Sequence, residues 1–198
     1  MKIITIPHST LRQVAVPVTS VDKKLFSFLD QLGDTLWKKD NPRGVGLAAP
    51  QVNESLRVFT TLLPESGIRG EGDPLLRFFI NPVMKDVSDE LTFGENPEEP
   101  ILEGCLSIPS IYGPVPRHQV IRVEFAELVG TELQTRIEQF EGYAARVMQH
   151  EYDHLDGKLF IDYSAELDLP LYKENGKKMD EMSSEMVQAF YYQSLTDR

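Results

Sequence analysis

A chain of 198 residues, 41% hydrophobic and 26% charged, has the size and balance of one ordinary folded domain, so it is read as a single unit over 1–198. Its net charge of −11 argues against a broad basic surface, and direct nucleic-acid binding is not expected. The longest apolar runs are interrupted and too short to span a bilayer, the opening eight residues lack the cleavage site of a signal peptide, and the one cysteine, Cys105, excludes an intramolecular disulfide. No membrane partner is expected, and the cytoplasm is the expected compartment.

In chain order, Leu25, Leu29, Leu32 and Leu36 fall at helical spacing between an N-cap at Ser20 or Asp22 and a stop at Pro42, which predicts an amphipathic helix over about 22–39. A small-residue segment, 44–51, follows. Residues 57–63 and 75–80 read as strands, separated by a glycine-rich loop at 66–74, and a second loop is expected over 93–100. Ile121, Val123 and Phe125 alternate with polar neighbours as a half-buried strand, with 133–140 as its antiparallel partner across a turn near Gly130. A helix is predicted from Gly142 or Tyr143 to Gly157, then loose turns around Pro170 and Gly176, then a last helix over about 180–195. The expected class is therefore α+β, with antiparallel or mixed sheets around a central helix, one helix at the N-terminus, and 165–198 as a C-terminal helical extension.

The central helix carries Gln149-His150-Glu151-Tyr152-Asp153-His154, an HExxH motif. Residues i and i+4 share a helix face about 6 Å apart, so His150 and His154 can grip one metal ion, while Glu151 points aside toward a metal-bound water. An open catalytic metal site needs a third protein ligand, and the lone thiol of Cys105, 45 positions upstream, is the candidate. Gly104 before it permits close backbone approach. Two imidazoles and a thiolate leave a divalent ion at net charge +1 and make it a weaker acid than three histidines would, so the water needs a base. Glu151 can take its proton and deliver it to a departing amine. The developing oxyanion needs donors, for which the Gln51 amide and backbone N–H groups beside Cys105 are candidates.

Three segments taken together resemble one family. Gly44-Val45-Gly46-Leu47-Ala48-Ala49-Pro50-Gln51, Glu103-Gly104-Cys105-Leu106-Ser107 and Gln149-His150-Glu151-Tyr152-Asp153-His154 are similar, in order and spacing, to the signatures GxGLAAxQ, EGCLS and QHExDHL of the peptide deformylases. Those enzymes remove the formyl group from N-formylmethionine on new polypeptides. The resemblance runs from about Leu11 to Tyr163. It implies Cys105, His150 and His154 as metal ligands and Glu151 as acid and base. Gln51 and the Leu106 N–H would polarise the formyl oxygen, and Gly46 would offer backbone contact to substrate. Val45, Ile101, Leu106 and Val147 would line the methionine pocket, and Gly104 would contact substrate. It also implies one divalent ion, ferrous iron first, with zinc, nickel or cobalt as alternatives. The implied partners are N-formylmethionyl nascent peptides, with transient ribosome association.

By the same resemblance, Glu103 and Arg117 form an ion pair behind the Cys105 loop, against the alternative of a surface pair worth little. Asp153 and Asp156 are read as supports of the helix. Tyr112 falls near the substrate entrance where many members carry arginine. Residues 165–198 hold seven acids against four bases, which does not suit docking on the ribosome through a basic helix. Two other readings compete. HExxH alone suits a zincin-type protease, whose third ligand would come from Asp156, Asp162 or Glu166. A metal-binding protein without turnover would need neither Glu151 nor Gln51.

Overall fold

The leucine stripe folds as expected. In the computed structural model, which describes residues 1–96 and 98–195, helix α1 runs Lys23–Trp37 and buries Leu25, Leu29, Leu32 and Leu36. Asp22 caps it, its carboxylate accepting from the N–H groups of Lys24 and Leu25 at 2.9 Å, which satisfies two otherwise orphaned donors. The chain then forms β1 (Gly46–Ala48), a 3-10 turn (Ala49–Val52), β2 (Val58–Pro64), β3 (Pro74–Val87) and β4 (Leu91–Thr92). Next come β5 (Leu102–Cys105), β6 (Ile108–Pro114), β7 (Arg117–His118), β8 (Val120–Val129) and β9 (Glu132–Glu141). Helices α2 (Gly142–Leu155) and α3 (Phe160–Leu167), a hairpin β10 (Tyr172–Asn175) and β11 (Lys178–Glu181), and α4 (Ser184–Gln193) complete the described chain.

The larger sheet has the order β1-β2-β3-β8-β9, and side-chain alternation along its strands splits the core in two. Val58, Leu62 and Ile80 face α1, while Phe59, Phe79 and Phe125 face Ala145, Met148 and Leu155 of α2. Phe59, Phe79 and Phe125 stack in series with ring centroids 4.9 and 4.6 Å apart. The central helix is thus pressed onto one face of this sheet. A second sheet, β11-β10-β6-β5, lies over α3 and α4 through Ile108, Ile111, Phe160, Leu171 and Val187. All ladders between the named strands are antiparallel, and the fold is the α+β class expected.

Several expectations need correction. Strand β3 runs on past Ile80 to Val87, with a register shift at Asn81 and Pro82 where φ of Asn81 is 51°. Segments β5 and β6, rich in glycine and proline and given no element from sequence, are strands. Helix α3 fills a stretch for which the sequence pattern predicts no element, between the central helix and the turns expected around Pro170 and Gly176, and its first turn is closed by Asp162, whose carboxylate accepts from the Leu159 N–H at 2.8 Å. The C-terminal segment is not only helical. Its hairpin extends the second sheet by pairing Tyr172 with Tyr112, and the last helix begins at Ser184 rather than 180, capped by Ser183.

Candidate active site

The two sheets leave one edge strand each, β1 and β5, on a common cavity of about 410 Å³. Gly44, Val45 and Gly46 line one side, Ile101 to Leu106 the other, and Tyr143, Arg146, Val147, His150 and Glu151 of α2 form the floor. Helix α2 is held beneath it by Gln149, whose amide accepts from the His118 N–H at 3.0 Å and donates to the His118 carbonyl at 2.9 Å.

Cys105 ends β5 at the turn Leu106–Ser107, where the β5–β6 register shifts. That turn carries the thiol to the two histidines, and the ligating atoms of Cys105, His150 and His154 lie within 4.8 Å of one another. His154 Nε2 is 3.3 Å from Cys105 Sγ, and the two imidazoles meet edge to face with centroids 5.1 Å apart. Phe160 of α3 lies nearly parallel to the His150 ring at 6.4 Å. The thiol also accepts from the Ser107 N–H at 3.4 Å and the Gln51 amide at 3.3 Å.

A divalent ion fits this donor set. One soft and two borderline donors converge, as thiolate–imidazole metal sites require. The charges agree: burial would strip His150 of a proton, but the bond to Cys105 and the neighbouring Glu103 reverse this and raise its pKa well above the usual value. Negative charge that holds a proton here suits a cation equally, and metal binding displaces that proton. Burial, then the nearby His150, push His154 well below the usual value and keep it a neutral ligand. Its Nδ1 is buried without a hydrogen-bond partner.

Behind the ligands, Glu103 is 7% exposed and accepts four charge-assisted bonds. Arg117 grips both oxygens at 2.9 Å, Arg146 donates to Oε1 at 2.9 Å, and His150 Nδ1 meets Oε2 at 2.8 Å. The last contact fixes the ring so that Nε2 is left for a ligand. Burial alone would raise the Glu103 pKa, but Arg117 outweighs it and the carboxyl is held below the usual range. Arg117 continues to Asp153 at 2.6 Å, and Tyr163 donates to Asp153 at 3.1 Å. The Glu103–Arg117 pair is therefore buried support and not a surface pair. Asp156 binds Arg57 at 2.7 Å and Asp162 binds Arg12 at 2.7 Å, while Glu166 is exposed; none of the three joins the histidines. The zincin ligand set is thereby removed.

Glu151 is 3% exposed, and its Oε2 has no hydrogen-bond partner. Burial raises its pKa to about 7, against the opposing charge on His150. Gly46 leaves the room it occupies: a Cβ there would lie 2.6–2.7 Å from Glu151 Cδ and Cγ and closer still to Oε1. Gln51 is fixed by Oε1 accepting from the Ala48 N–H at 2.8 Å, which turns its Nε2 toward Cys105 and Ser107. Gly104 answers Tyr112, whose ring would meet a Cβ at 2.6 Å. Sequence reasoning missed Arg146 and Tyr143. The signal for Arg146 was there: an arginine one turn before His150, between Ala145 and Val147 on the buried side, has to find acceptors. It takes the Val115 and Thr92 carbonyls besides Glu103, at 2.7 and 2.6 Å.

Comparison with known proteins agrees with this geometry. A family model described as polypeptide deformylase matches residues 1–169. Peptide deformylase of Bradyrhizobium sp. (strain ORS 278) is 43% identical over 168 residues, covering 84% of this chain and 87% of that protein. The structure of peptide deformylase from Thermotoga maritima, 36% identical, covers 82% of this chain and 95% of its own with a TM-score of 0.66. A class I type b peptide deformylase from Acinetobacter baumannii with Met-Ala-Ser bound, 28% identical, covers 82% of this chain and 97% of its own at a TM-score of 0.69. With the three motifs converged on one cavity, the chain belongs to the polypeptide deformylase family.

Proposed function

We propose that this deformylase hydrolyses the formyl amide of N-formylmethionyl nascent peptides with one divalent ion, ferrous iron, held by Cys105, His150 and His154. Zinc, nickel or cobalt are alternatives that the same donors accept. When bound, the ion supplies Lewis acidity to the formyl carbonyl and lowers the pKa of a water.

The remaining chemistry belongs to the chain. Glu151 Oε2, buried, unpartnered and near pKa 7, both takes a proton from the attacking water and returns it to the departing amine nitrogen at neutral pH. This is the single observation that carries the reading, since metal storage needs no such carboxyl. The Gln51 Nε2 edge exchanges its long contact with sulfur for the formyl oxygen as negative charge develops there, joined by the N–H of Leu106 in the turn after Cys105. The substrate backbone lies extended between the free edges of β1 and β5, where Gly46 lies on one side and Gly104 on the other. Val45, Ile101 and Val147 give an apolar wall suited to an unbranched thioether.

No described helix is long and apolar enough to cross a membrane. A cytoplasmic setting is supported by the free thiol at the site, which oxidation would disable. Transient ribosome association, if made, would not use 165–198, whose excess of acids opposes rRNA phosphates. The test is formate release from formyl-Met-Ala-Ser by protein purified without oxygen and loaded with iron. Absence of formate from fully loaded protein defeats the proposal.

A further inference from the structure

Among the nine described arginines, seven lie within 3.1 Å of a carboxylate. The two that form no salt bridge are Arg43 and Arg69, and both are exposed and line the mouth of the active-site cavity. Lysines without a salt bridge lie elsewhere on the surface, but Arg43 and Arg69 are the described arginines left free for a carboxylate, and both stand at the cavity. Among the described residues no salt bridge joins Arg69 to the acids of its loop, Glu65, Glu71 and Asp73, so its guanidinium is free to bind another carboxylate directly.

Arg69 is not adrift. Its guanidinium sits 5.5 Å from the centre of the Tyr143 ring, which holds the charge over the cavity without cancelling it. Arg43 leads directly into Gly44, Val45 and Gly46, so it flanks the strand edge along which an extended peptide would leave the site. Among the described residues, the carboxylates lining the cavity are Glu103, paired with two arginines, and Glu151, buried at its floor. Across the mouth, Glu174 of β10 is engaged with the Tyr112 hydroxyl.

We propose that Arg43 and Arg69 form a carboxylate-binding lip that favours formyl-methionyl chains with an acidic residue in the first positions after methionine. This rests on the deformylase reading above and adds a substrate preference to it. Exposed arginine–carboxylate pairs are individually weak, so the expected effect is modest, about three- to fivefold in kcat/KM.

The experiment compares formyl-Met-Ala-Ser with formyl-Met-Glu-Ser, formyl-Met-Ala-Asp and formyl-Met-Lys-Ser, on iron-loaded enzyme at low ionic strength. At least one acidic peptide should exceed the neutral one by about three- to fivefold, and the lysine peptide should fall below it. The advantage should shrink toward one at roughly 0.5 M salt, where charges a few ångströms apart are largely screened. In the Arg43→Gln, Arg69→Gln double variant the acidic-to-neutral ratio should fall to about one. Because the readout is a ratio within one protein, a general loss of activity does not imitate it. Equal rates on all four peptides, or a preference that survives both substitutions, overturns the lip and leaves deformylation standing. No formate from any peptide overturns deformylation itself.

Discussion

Replacing Gly46 with alanine tests the packing that puts the proposed base in place. The new Cβ would stand 2.6–2.7 Å from Glu151 Cδ and Cγ, whereas carbon atoms in contact need about 3.5 Å. Something must therefore move by roughly 1 Å. Strand β1 cannot easily give way, because Gly46, Leu47 and Ala48 are all paired with β2 and wholly buried next door. Glu151 is itself 3% exposed, so its carboxylate shifts within a closed space and leaves its position over the ligands. A misplacement of about 1 Å at a reacting centre costs on the order of 100-fold in rate, or about 2.7 kcal/mol of barrier. Overpacking should also lower stability by about 1–3 kcal/mol. The assay pairs formate release with iron content and a thermal melt. Gly46→Ala should keep one iron per chain and lose about two orders of magnitude in kcat. A folded, iron-loaded variant within about threefold of the parent kcat would refute the argument that Gly46 exists to seat Glu151.

Other substitutions separate base, support and scaffold. Glu151→Gln should retain the metal and lose about 10²- to 10⁴-fold in kcat, read by the same formate and iron measurements; loss of metal instead would make Glu151 part of the ligand shell. Glu103→Gln leaves Arg146 and much of Arg117 uncompensated in the interior and should cost about 3 kcal/mol by denaturant unfolding. The Glu103 pKa lies below its ordinary 4.5 in the folded protein, so its contribution is present above that pH and is lost as pH falls below it. Acid should therefore lower the melting temperature more steeply in the parent than in Glu103→Gln, and parallel curves would contradict this. Arg12→Ala removes the link from the N-terminal segment to Asp162 and Ser194, at 2.7–2.8 Å, and should speed amide exchange in Ser184–Gln193 before the rest of the fold.

The parts of the fold that sequence made legible are those where one face repeats. The leucines of α1 and the alternation of Ile121, Val123 and Phe125 each obey one period and bury one side, and both formed where the pattern put them. Strands β5 and β6 were hidden because Gly104, Pro109, Gly113 and Pro114 disfavour strands locally; pairing with each other and with the hairpin overrides that preference. The hairpin itself has exposed strands without an apolar alternation, although Asn175-Gly176 is a strong turn signal. Helix α3 starts after Leu159, which is no conventional capping residue, since Asp162 reaches back to the Leu159 N–H. At the site, the three motifs pointed to Cys105, His150, His154 and Glu151, and the place of Arg146 on the buried side of α2 signalled a need for acceptors without saying which. The acceptor that makes Arg146 the second arginine on Glu103 is seen only when β5 brings that carboxylate alongside it.

The central claim is that Cys105, His150 and His154 hold the one ion on which formyl hydrolysis depends. It is tested most directly by measuring formate release as iron is removed by a chelator and restored stepwise without oxygen. Activity should vanish with the metal and return in proportion to iron, levelling off at one ion per chain. Undiminished formate release from metal-free protein, or none from fully reloaded protein, would contradict the account.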